Sequence, residues 1–469
     1  MRKLLFFAFA IFYGLNLSAQ PGWEAFWSGY TTESRGISRF GILNDPSQEV
    51  AWSVAYDGSG NGADITAVGV TVDGGATWTT YDPLSLPGGV GLGISMVYPT
   101  DENTAYIAAY ARSFGHGGLW KTTDRGATWT QISTSTMYTN SNSFPNIIYL
   151  YDDNNGFAQG DPINGEFEMY MTSDAGATWT PIDGANIDDP LAGEYGYTGG
   201  YVVAGSTTWF TTNKGRLYRS TDQGQTWTAH DTPLTDFGGQ NDNGSVTFKD
   251  DNEGWILRSN GELYHSTDAG DTWNLMSPTG LENYSGEITF VPGTSNTLIA
   301  VDADSNHAGA AISTDGGTTW TKMVNYKLGG GSWGQLTATG QMQHTCVAMR
   351  DINFGLSGNF SHQDDPNDAQ DSDSGVFKYI DDIAGVNDNK IEGLNIFPNP
   401  ATDFVNVSIG TEKINSIAIF DITGKQVISL NNISLNNAQV NVSNLEKGIY
   451  LMKVVDESNA QETIKLVIK

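Results

Sequence analysis

Short runs in which apolar and polar residues alternate fill most of this 469-residue chain. Two examples are 118–122 and 262–266, and each run ends two residues before an aspartate. Alternation over a few residues is typical of a strand that buries one face. The pattern therefore predicts many short β-strands joined by tight turns, and an all-β fold.

A hairpin motif with the order Asp-x-Gly-x-Thr-Trp recurs six times. Its aspartate can accept hydrogen bonds from turn N–H groups and its glycine permits a positive φ, so each copy predicts a tight turn. Successive aspartates lie 51, 50, 48, 46 and 47 residues apart. Two more strand-like runs precede each copy, which gives four strands per repeat, as in one blade of a β-propeller. The aspartates and tryptophans of the six copies are Asp73, Trp78, Asp124, Trp129, Asp174, Trp179, Asp222, Trp227, Asp268, Trp273, Asp315 and Trp320.

A degenerate seventh copy ends the repeat region. Residues 375–381 align with 118–124 but lack the following Gly-x-Thr-Trp, so this repeat has no outer strand of its own. Residues 22–27 have the pattern of an unpartnered strand. Pairing the two chain ends would remove exposed edges. We therefore predict a seven-bladed β-propeller whose N-terminal strand completes blade seven, with Trp23 close to Phe377.

The repeated motif resembles the Asp-box, or bacterial neuraminidase repeat, of sialidases, sortilin-type receptors, xyloglucanases and photosystem assembly factors. The resemblance covers roughly residues 22–385. It implies a propeller in which the Asp-box is a structural hairpin on the face away from the ligand. The six aspartates and six tryptophans of the copies are therefore interpreted as structural. The motif is specific for the fold and carries little information about function.

The composition changes after a polar linker at 383–393. Residues 394–469 open with Phe397-Pro398-Asn399-Pro400 and continue as alternating strands, which predicts a small immunoglobulin-like β-sandwich. Together with Asp-x-x-Gly-Lys at 421–425, Lys-Gly-Ile-Tyr at 447–450 and a terminal lysine, this stretch resembles the type A sorting domain of the type IX secretion system of Bacteroidota. The resemblance implies the secretion machinery as a partner.

The N-terminal residues have the pattern of a secretory signal peptide. Arg2 and Lys3 precede an apolar stretch at 4–15, which is too short to span a bilayer, and small residues lead to an expected cut after Ala19. No later segment is apolar enough to cross a membrane. We therefore expect a signal peptide at 1–19, a propeller at 20–382, and a mature protein that is secreted or held on the outer cell surface.

Charge and cysteine content narrow the possible partners. The formal net charge of −30 argues against nucleic acid, because binding to phosphates requires clustered Lys and Arg. Cys346 is the single cysteine, so no intramolecular disulfide can form, and its apolar neighbours predict a buried position.

We expect ligand binding at the loops that join the second and third strands of each blade, because these loops lie on the face opposite the Asp-boxes. Longer loops are expected at 56–64, 112–118, 160–166, 302–309 and 359–375. Their candidate ligand-binding residues are Asp57, Arg112, His116, Asp161, Asp302, Asp304, His307 and His362. Aromatic residues between blades could stack on sugars or pack at blade junctions: Tyr195, Tyr197, Tyr284 and Trp333.

No cofactor is predicted, with the exception of a possible Ca²⁺ site in an acidic insertion. Several carboxylates suit a hard cation, although the spacing is not that of an EF-hand. The insertion contributes Asp364, Asp365, Asp368, Asp371 and Asp373.

Three functions remain open. The first is a binding propeller for a glycan or a protein partner. The second is a glycoside hydrolase, sialidase-like or other, which needs paired carboxylates; the Arg-Ile-Pro signature of sialidases is absent, although Arg39, Arg112 and Arg350 could line the loop face. The third is an envelope assembly or scaffold factor. Catalysis is uncertain, and binding explains the chain with fewer assumptions.

Overall fold

A computed structural model describes residues 21–30, 35–58, 65–81, 91–112, 116–240, 242–282, 284–304, 308–326, 342–359, 375–380, 391, 394–410, 413–421, 425–456 and 461–469. The chain divides into two compact units, one of them Gln20–Asp382 and the other including Ile383–Lys469. Its described secondary structure is β-strand apart from one short 3₁₀ turn at Gly184–Asn186. No helix among the described residues is long and apolar enough to span a membrane.

The first unit begins with β1 (Gly22–Trp27) and then forms six sheets, each of four consecutive antiparallel strands. Sheet I contains β2 (Arg35–Ile42), β3 (Ala51–Asp57), β4 (Val68–Thr71) and β5 (Thr79–Tyr81). Sheet II contains β6 (Leu92–Pro99), β7 (Ala105–Ala111), β8 (Gly118–Thr122) and β9 (Thr130–Gln131). Sheet III contains β10 (Pro145–Leu150), β11 (Gly156–Ile163), β12 (Glu166–Thr172) and β13 (Thr180–Pro181).

The next three sheets repeat this order. Sheet IV contains β14 (Gly196–Ala204), β15 (Thr207–Thr212), β16 (Arg216–Ser220) and β17 (Thr228–Asp231). Sheet V contains β18 (Gly244–Phe248), β19 (Gly254–Arg258), β20 (Leu263–Ser266) and β21 (Asn274–Leu275). Sheet VI contains β22 (Glu287–Phe290), β23 (Leu298–Asp302), β24 (Gly309–Ser313) and β25 (Thr321–Lys322).

Sheet VII joins the two ends of the unit. It contains β26 (Val324–Tyr326), β27 (Val347–Asp351), β28 (Phe354–Gly358) and β29 (Gly375–Ile380), in the spatial order β26-β1-β29-β28-β27. As the sequence predicts, β1 pairs antiparallel with β29, and Trp23 lies opposite Tyr379 while Ala25 lies opposite Phe377. The parallel strand β26 on the other side of β1 was not expected. It covers an edge that β1 would otherwise expose.

Hydrophobic cores lie between neighbouring sheets. Trp52 of sheet I contacts Trp129 of sheet II, with ring centroids 6.0 Å apart, and Phe157 of sheet III contacts Trp227 of sheet IV at 5.2 Å. Further cores join sheets IV and V, V and VI, and VI and VII. Sheet VII also shares a core with sheet I, so the packing returns to its starting point. Cys346 lies in that last core, buried as predicted.

In each of the six boxes the aspartate is held by the same hydrogen bonds. In sheet IV, Ser220 Oγ donates to Asp222 Oδ1 at 2.8 Å, and the Thr226 backbone N–H and hydroxyl donate to the two carboxylate oxygens at 2.9 and 2.7 Å. Trp227 Nε1 donates to the Gly224 carbonyl at 2.9 Å. The aspartate contacts recur in all other boxes. These bonds lower the pKa of Asp124, Asp174, Asp268 and Asp315, the largest cause being the bonds from the box threonine.

The second unit contains two antiparallel sheets around one core. One sheet contains β30 (Asn395–Phe397), β31 (Phe404–Ser408) and β34 (Asn437–Asn441). The other contains β32 (Ile414–Asp421), β33 (Gln426–Leu435), β35 (Gly448–Asp456) and β36 (Gln461–Ile468). Alternate residues such as Val405, Ile419 and Met452 are fully buried between them. The immunoglobulin-like assignment stays a prediction.

A buried histidine in sheet VII makes the first unit sensitive to acid. His344 Nδ1 donates to Ser357 Oγ at 2.7 Å, since the serine hydroxyl itself donates to the Cys346 carbonyl. Burial lowers the pKa of His344 from 6.5 to about 3. Because the unfolded chain takes up this proton first, the stability that neutral His344 contributes is complete above pH 6.5 and is lost as the pH falls toward 3.

As the pH falls from 7 to 5, we expect the lowered pKa of His344 to reduce the free energy of unfolding by about 2 kcal/mol. Asparagine keeps a donor near the Nδ1 position but does not titrate in this range. Urea unfolding at both pH values should therefore show a larger loss for the wild type than for His344→Asn. Equal losses in the two proteins would mean that His344 is protonated in the folded state.

Candidate binding site

The first strands of the sheets in the first unit surround a common space. One cavity of about 320 Å³ is lined by first-strand residues of sheets I, IV, V and VI together with Thr345, which precedes the first long strand of sheet VII. Two neighbouring cavities measure about 310 and 220 Å³. Arg39 of β2 lines all three, and we call them together the axial cavities. Polar groups of several sheets therefore converge here.

Arg39 crosses from sheet I to sheet IV. Its Nη2 donates to the Thr198 carbonyl at 3.0 Å. The strand β14 bulges at this point, because its register against β15 shifts between Gly196 and Tyr201. Gly199 has φ +54°, and a Cβ there would lie 2.6 Å from Arg39 Nε. Glycine thus lets the guanidinium lie against the bulged backbone.

Glu287 of β22 supplies a carboxyl to two of the axial cavities. Its Oε2 accepts the Val347 backbone N–H at 2.8 Å. Burial raises the pKa of Glu287, while the charge of Arg39 acts in the opposite direction. The carboxyl is therefore easier to protonate than an exposed glutamate.

The 310 Å³ cavity brings together two predicted residues, Asp57 and Arg112. Asp57 accepts a hydrogen bond from Arg35 Nη1 at 3.3 Å. Tyr56 and Tyr110 also line this cavity. Their rings lie where a Cβ of Gly36 or Gly93 would come within 2.5 Å, so glycines in the first strands leave the space that the tyrosines fill. Phenol, guanidinium and carboxylate groups meet at this end of the axial cavities.

Two tyrosines stand on a rigid segment at sheet IV. Tyr195 is 42% exposed, and its backbone N–H donates to Asn213 Oδ1 at 2.8 Å while its carbonyl accepts the Asn213 N–H at 3.1 Å. The Tyr197 hydroxyl donates to Asp236, and Tyr197 lines the 320 Å³ cavity. The preceding segment is fixed by an ion pair between Glu194 and Arg216. The backbone of Tyr195 and the ring of Tyr197 are thus held in place, and the two ring centroids lie 5.7 Å apart.

Other predicted site residues do not join this cluster. His116 and Asp304 are exposed, and Tyr284 is buried in the core between sheets V and VI, which is the packing alternative considered for it. Asp302 ends strand β23, where its carboxylate accepts the Ser285 N–H at 2.9 Å and the Asp304 N–H at 2.7 Å. The remaining candidates lie outside the described residues: His307, His362, Trp333, Asp364, Asp365, Asp368, Asp371 and Asp373. Among the described residues, no group of three or more His, Cys, Asp and Glu side chains could hold a metal.

The prediction of a long loop at 160–166 is wrong. Strand β11 continues to Ile163 and β12 starts at Glu166, so only Asn164 and Gly165 form the turn. Both have positive φ, 57° and 94°, as a two-residue hairpin of the Asn-Gly type requires. Asp161 consequently lies within a strand. The Asn-Gly pair in the sequence was the signal that could have shown this.

Arg350, unlike Arg39 and Arg112, does not line the axial cavities. Its guanidinium donates to the carbonyls of Asp45 and Gln48 in the β2–β3 connection, at 3.1 and 2.7 Å. It therefore links sheet VII to sheet I by structural contacts. Sequence reasoning missed Glu287, Thr198, Tyr56 and Tyr110, although the glycines that accommodate the two tyrosines are visible in the sequence.

Two different family models match the two units of the chain. Residues 215–354 match the family model described as "Sortilin, neurotensin receptor 3", and residues 395–469 match "Secretion system C-terminal sorting domain". No curated protein matches the chain.

Solved structures that resemble the chain include "YCF48 bound to D1 peptide", with a TM-score of 0.49 and 17% identity over 76% of this chain and 96% of that one. They also include a GH74 enzyme from Niastella koreensis, with a TM-score of 0.44 and 13% identity over 95% and 86%. A GH74 xyloglucanase from Xanthomonas campestris has a TM-score of 0.45 and 14% identity over 84% and 59%.

Both matched segments agree with the motifs in the sequence. The sortilin-type match contains three of the six boxes, those that begin at Asp222, Asp268 and Asp315. The sorting-domain match begins two residues before Phe397 and ends at the last residue. The chain is thus an Asp-box β-propeller protein with a sortilin-type match over residues 215–354, and it carries a type IX secretion C-terminal sorting domain at residues 395–469.

Proposed function

We propose that this protein is an exported binding protein, which captures a glycan or a protein partner at the axial cavities of a seven-bladed propeller. Sheets I to VII would be the seven blades, with β1 completing the last. The proposed domains are a signal peptide at 1–19, the propeller at 20–382, a linker at 383–393 and an immunoglobulin-like sorting domain at 394–469. After export the mature chain would be free or surface-attached.

The observation that carries the proposal is the distribution of carboxylates. Among the described residues, Asp57 is the only acid lining the 310 Å³ cavity, and Glu287 is the only acid lining the other two. Glycoside hydrolysis by the usual mechanisms needs two carboxylates about 5–10 Å apart around the bond that is cleaved. Each of these cavities instead combines one acid with Arg39, a set of groups suited to hydrogen bonding.

Rigid aromatic and cationic groups support binding further. Tyr197 lines the 320 Å³ cavity and its hydroxyl is fixed by Asp236, so little entropy is lost when a ligand packs on its ring. Arg39 has one hydrogen bond to the protein among the described residues, and a guanidinium has five N–H donors. Its remaining donors can reach acceptor oxygens of a ligand in the axial cavities.

Binding without cleavage is the expected result when the mature protein is tested against a panel of polysaccharides and against envelope extracts. Immobilised glycans and pull-down would report partners, and a reducing-sugar assay on the same panel would report hydrolysis. We expect saturable binding to one partner and no release of sugar above the buffer control. Release of sugar at a rate that scales with enzyme concentration would contradict the proposal and favour the hydrolase.

A further inference from the structure

A second cluster of polar groups lies at the junction of sheets III and IV, outside the lining of the axial cavities. Its centre is Asp161, at a bulge where the register of β11 against β12 shifts between Gly160 and Pro162. Asp161 Oδ1 accepts Asn146 Nδ2 from β10 at 2.7 Å and the Gly196 N–H from β14 at 3.1 Å. The carboxylate is thus held between the first strands of two neighbouring sheets.

This carboxylate has no cationic neighbour among the described residues, since none of their Lys, Arg or His side chains lies within ion-pair distance of it. Burial raises the pKa of Asp161 to about 6, even though two N–H groups donate to it. A charge that is largely withdrawn from water is costly unless it is paired or bound to a metal. Asp161 is half-buried, and among the described residues only two N–H groups compensate its charge.

Two buried amides beside Asp161 also have unused acceptors. Asn146 and Gln159 are both fully buried, and neither Asn146 Oδ1 nor Gln159 Oε1 has a hydrogen-bond partner among the described residues. Rotating the amides does not resolve this, because Asn146 Nδ2 donates to Asp161 and Gln159 Nε2 donates to the Gly160 carbonyl at 3.0 Å. Rotation of either amide would remove that N–H donor and place the amide oxygen against the acceptor oxygen of Asp161 or Gly160. Unused buried acceptors are uncommon and call for an explanation.

Both amides lie against Gly196. A Cβ on Gly196 would lie 2.7 Å from Gln159 Nε2, 3.2 Å from Gln159 Oε1 and 3.3 Å from Asn146 Nδ2, so the amides occupy the position that any other residue's Cβ would need. The same Gly196 donates its N–H to Asp161. The carboxylate and both amide groups are therefore neighbours at this glycine.

We propose that Asp161, Asn146 and Gln159 form a binding site for one hard cation at the junction of sheets III and IV. Carboxylate and amide carbonyl oxygens are the ligands that such cations prefer. The site carries one negative charge, so a monovalent ion such as Na⁺ neutralises it, while Ca²⁺ leaves one positive charge. This site is separate from the acidic insertion at 364–373 and from the axial cavities.

Thermal unfolding tests the site in the full-length mature protein at pH 7.5. Wild type, Asp161→Asn and Asp251→Asn are compared in choline chloride, NaCl, and choline chloride with CaCl₂, all at equal ionic strength. Asp251 is the control, because its carboxylate likewise accepts hydrogen bonds, two from Ser206 and one from Thr207, but on a turn at the surface. Any ion bound by the acidic insertion would affect all three proteins equally.

We expect NaCl, or CaCl₂ if the site prefers the divalent ion, to raise the melting temperature of wild type and Asp251→Asn by about 2 °C or more relative to choline. The Asp161→Asn protein should lack that increment. Equal increments in all three proteins, or no increment in any, would overturn the site.

A second measurement does not depend on the folding of the variant. Crystals of the wild-type protein soaked in Tl⁺, a heavy monovalent cation with a strong anomalous signal, should show an anomalous peak within roughly 3 Å of Asn146 Oδ1, Gln159 Oε1 and Asp161. Soaking with Tb³⁺ gives the corresponding test for Ca²⁺. Ordered water without an anomalous signal in both soaks would overturn the proposal.

Discussion

Replacing Trp23 with alanine should lower the free energy of unfolding by about 3–5 kcal/mol, the usual cost of removing a large aromatic side chain from a core. Trp23 is fully buried in β1, and its ring lies 5.6 Å from that of Tyr379 and 5.7 Å from that of His344. Because its indole N–H has no hydrogen-bond partner among the described residues, the loss is one of packing. Urea unfolding followed by far-UV circular dichroism measures it.

Trp27 is the matched control on the same strand. It is 45% exposed and lies opposite Gly375, so Trp27→Ala should cost less than about 1 kcal/mol. The difference between the two variants isolates the contribution of the buried side of β1 to the closure of sheet VII. Similar losses for both variants would mean that β1 is not packed between β26 and β29 in solution.

Removing the sorting domain should abolish export to the outside of the cell. A chain that ends at residue 393 lacks the whole segment that matches the sorting-domain family. In a bacterium with a type IX secretion system, we expect the truncated chain to accumulate in the periplasm, while the complete chain reaches the surface or the medium. Immunoblots of the cell fractions measure the distribution.

Two controls separate a sorting defect from a folding defect. The truncated chain, once purified, should unfold at the same temperature as the first unit of the complete chain, since the two units have separate cores. A periplasmic carrier fused to residues 394–469 should be exported. Truncated chain in the medium at wild-type levels would contradict the assignment of export to this domain.

Most of the fold could be predicted from local sequence patterns. The Asp-box turns follow from short motifs, because the aspartate of each box is bonded by the serine or threonine two residues before it and by the threonine four residues after it. The pairing of residues 22–27 with 375–380 could be predicted because one repeat lacked an outer strand and the chain began with one. In each case the evidence lies within a few residues, or in a count of strands.

The features that the sequence did not predict depend on contacts between distant segments. Strand β26 has only three residues, and it forms by parallel pairing with the edge of β1. Arg39 reaches Thr198, 159 positions away, only because β14 bulges. Glu287 lies in an ordinary alternating run, and its burial comes from the sheets around it. Such positions are set by the closure of the whole unit and leave no local pattern.

The most direct test of the axial cavities as the binding site is the affinity of the captured partner for three proteins: wild type, Arg112→Gln and Arg125→Gln. Both substitutions remove one positive charge. Arg125 lies in the box of sheet II with φ 59°, and glutamine is native at the equivalent Gln223, which has φ 58°. We expect Arg112→Gln to weaken binding at least tenfold, equivalent to about 1.4 kcal/mol, and Arg125→Gln to leave it unchanged. Unchanged affinity for Arg112→Gln, or an equal loss in both variants, would contradict binding at this site.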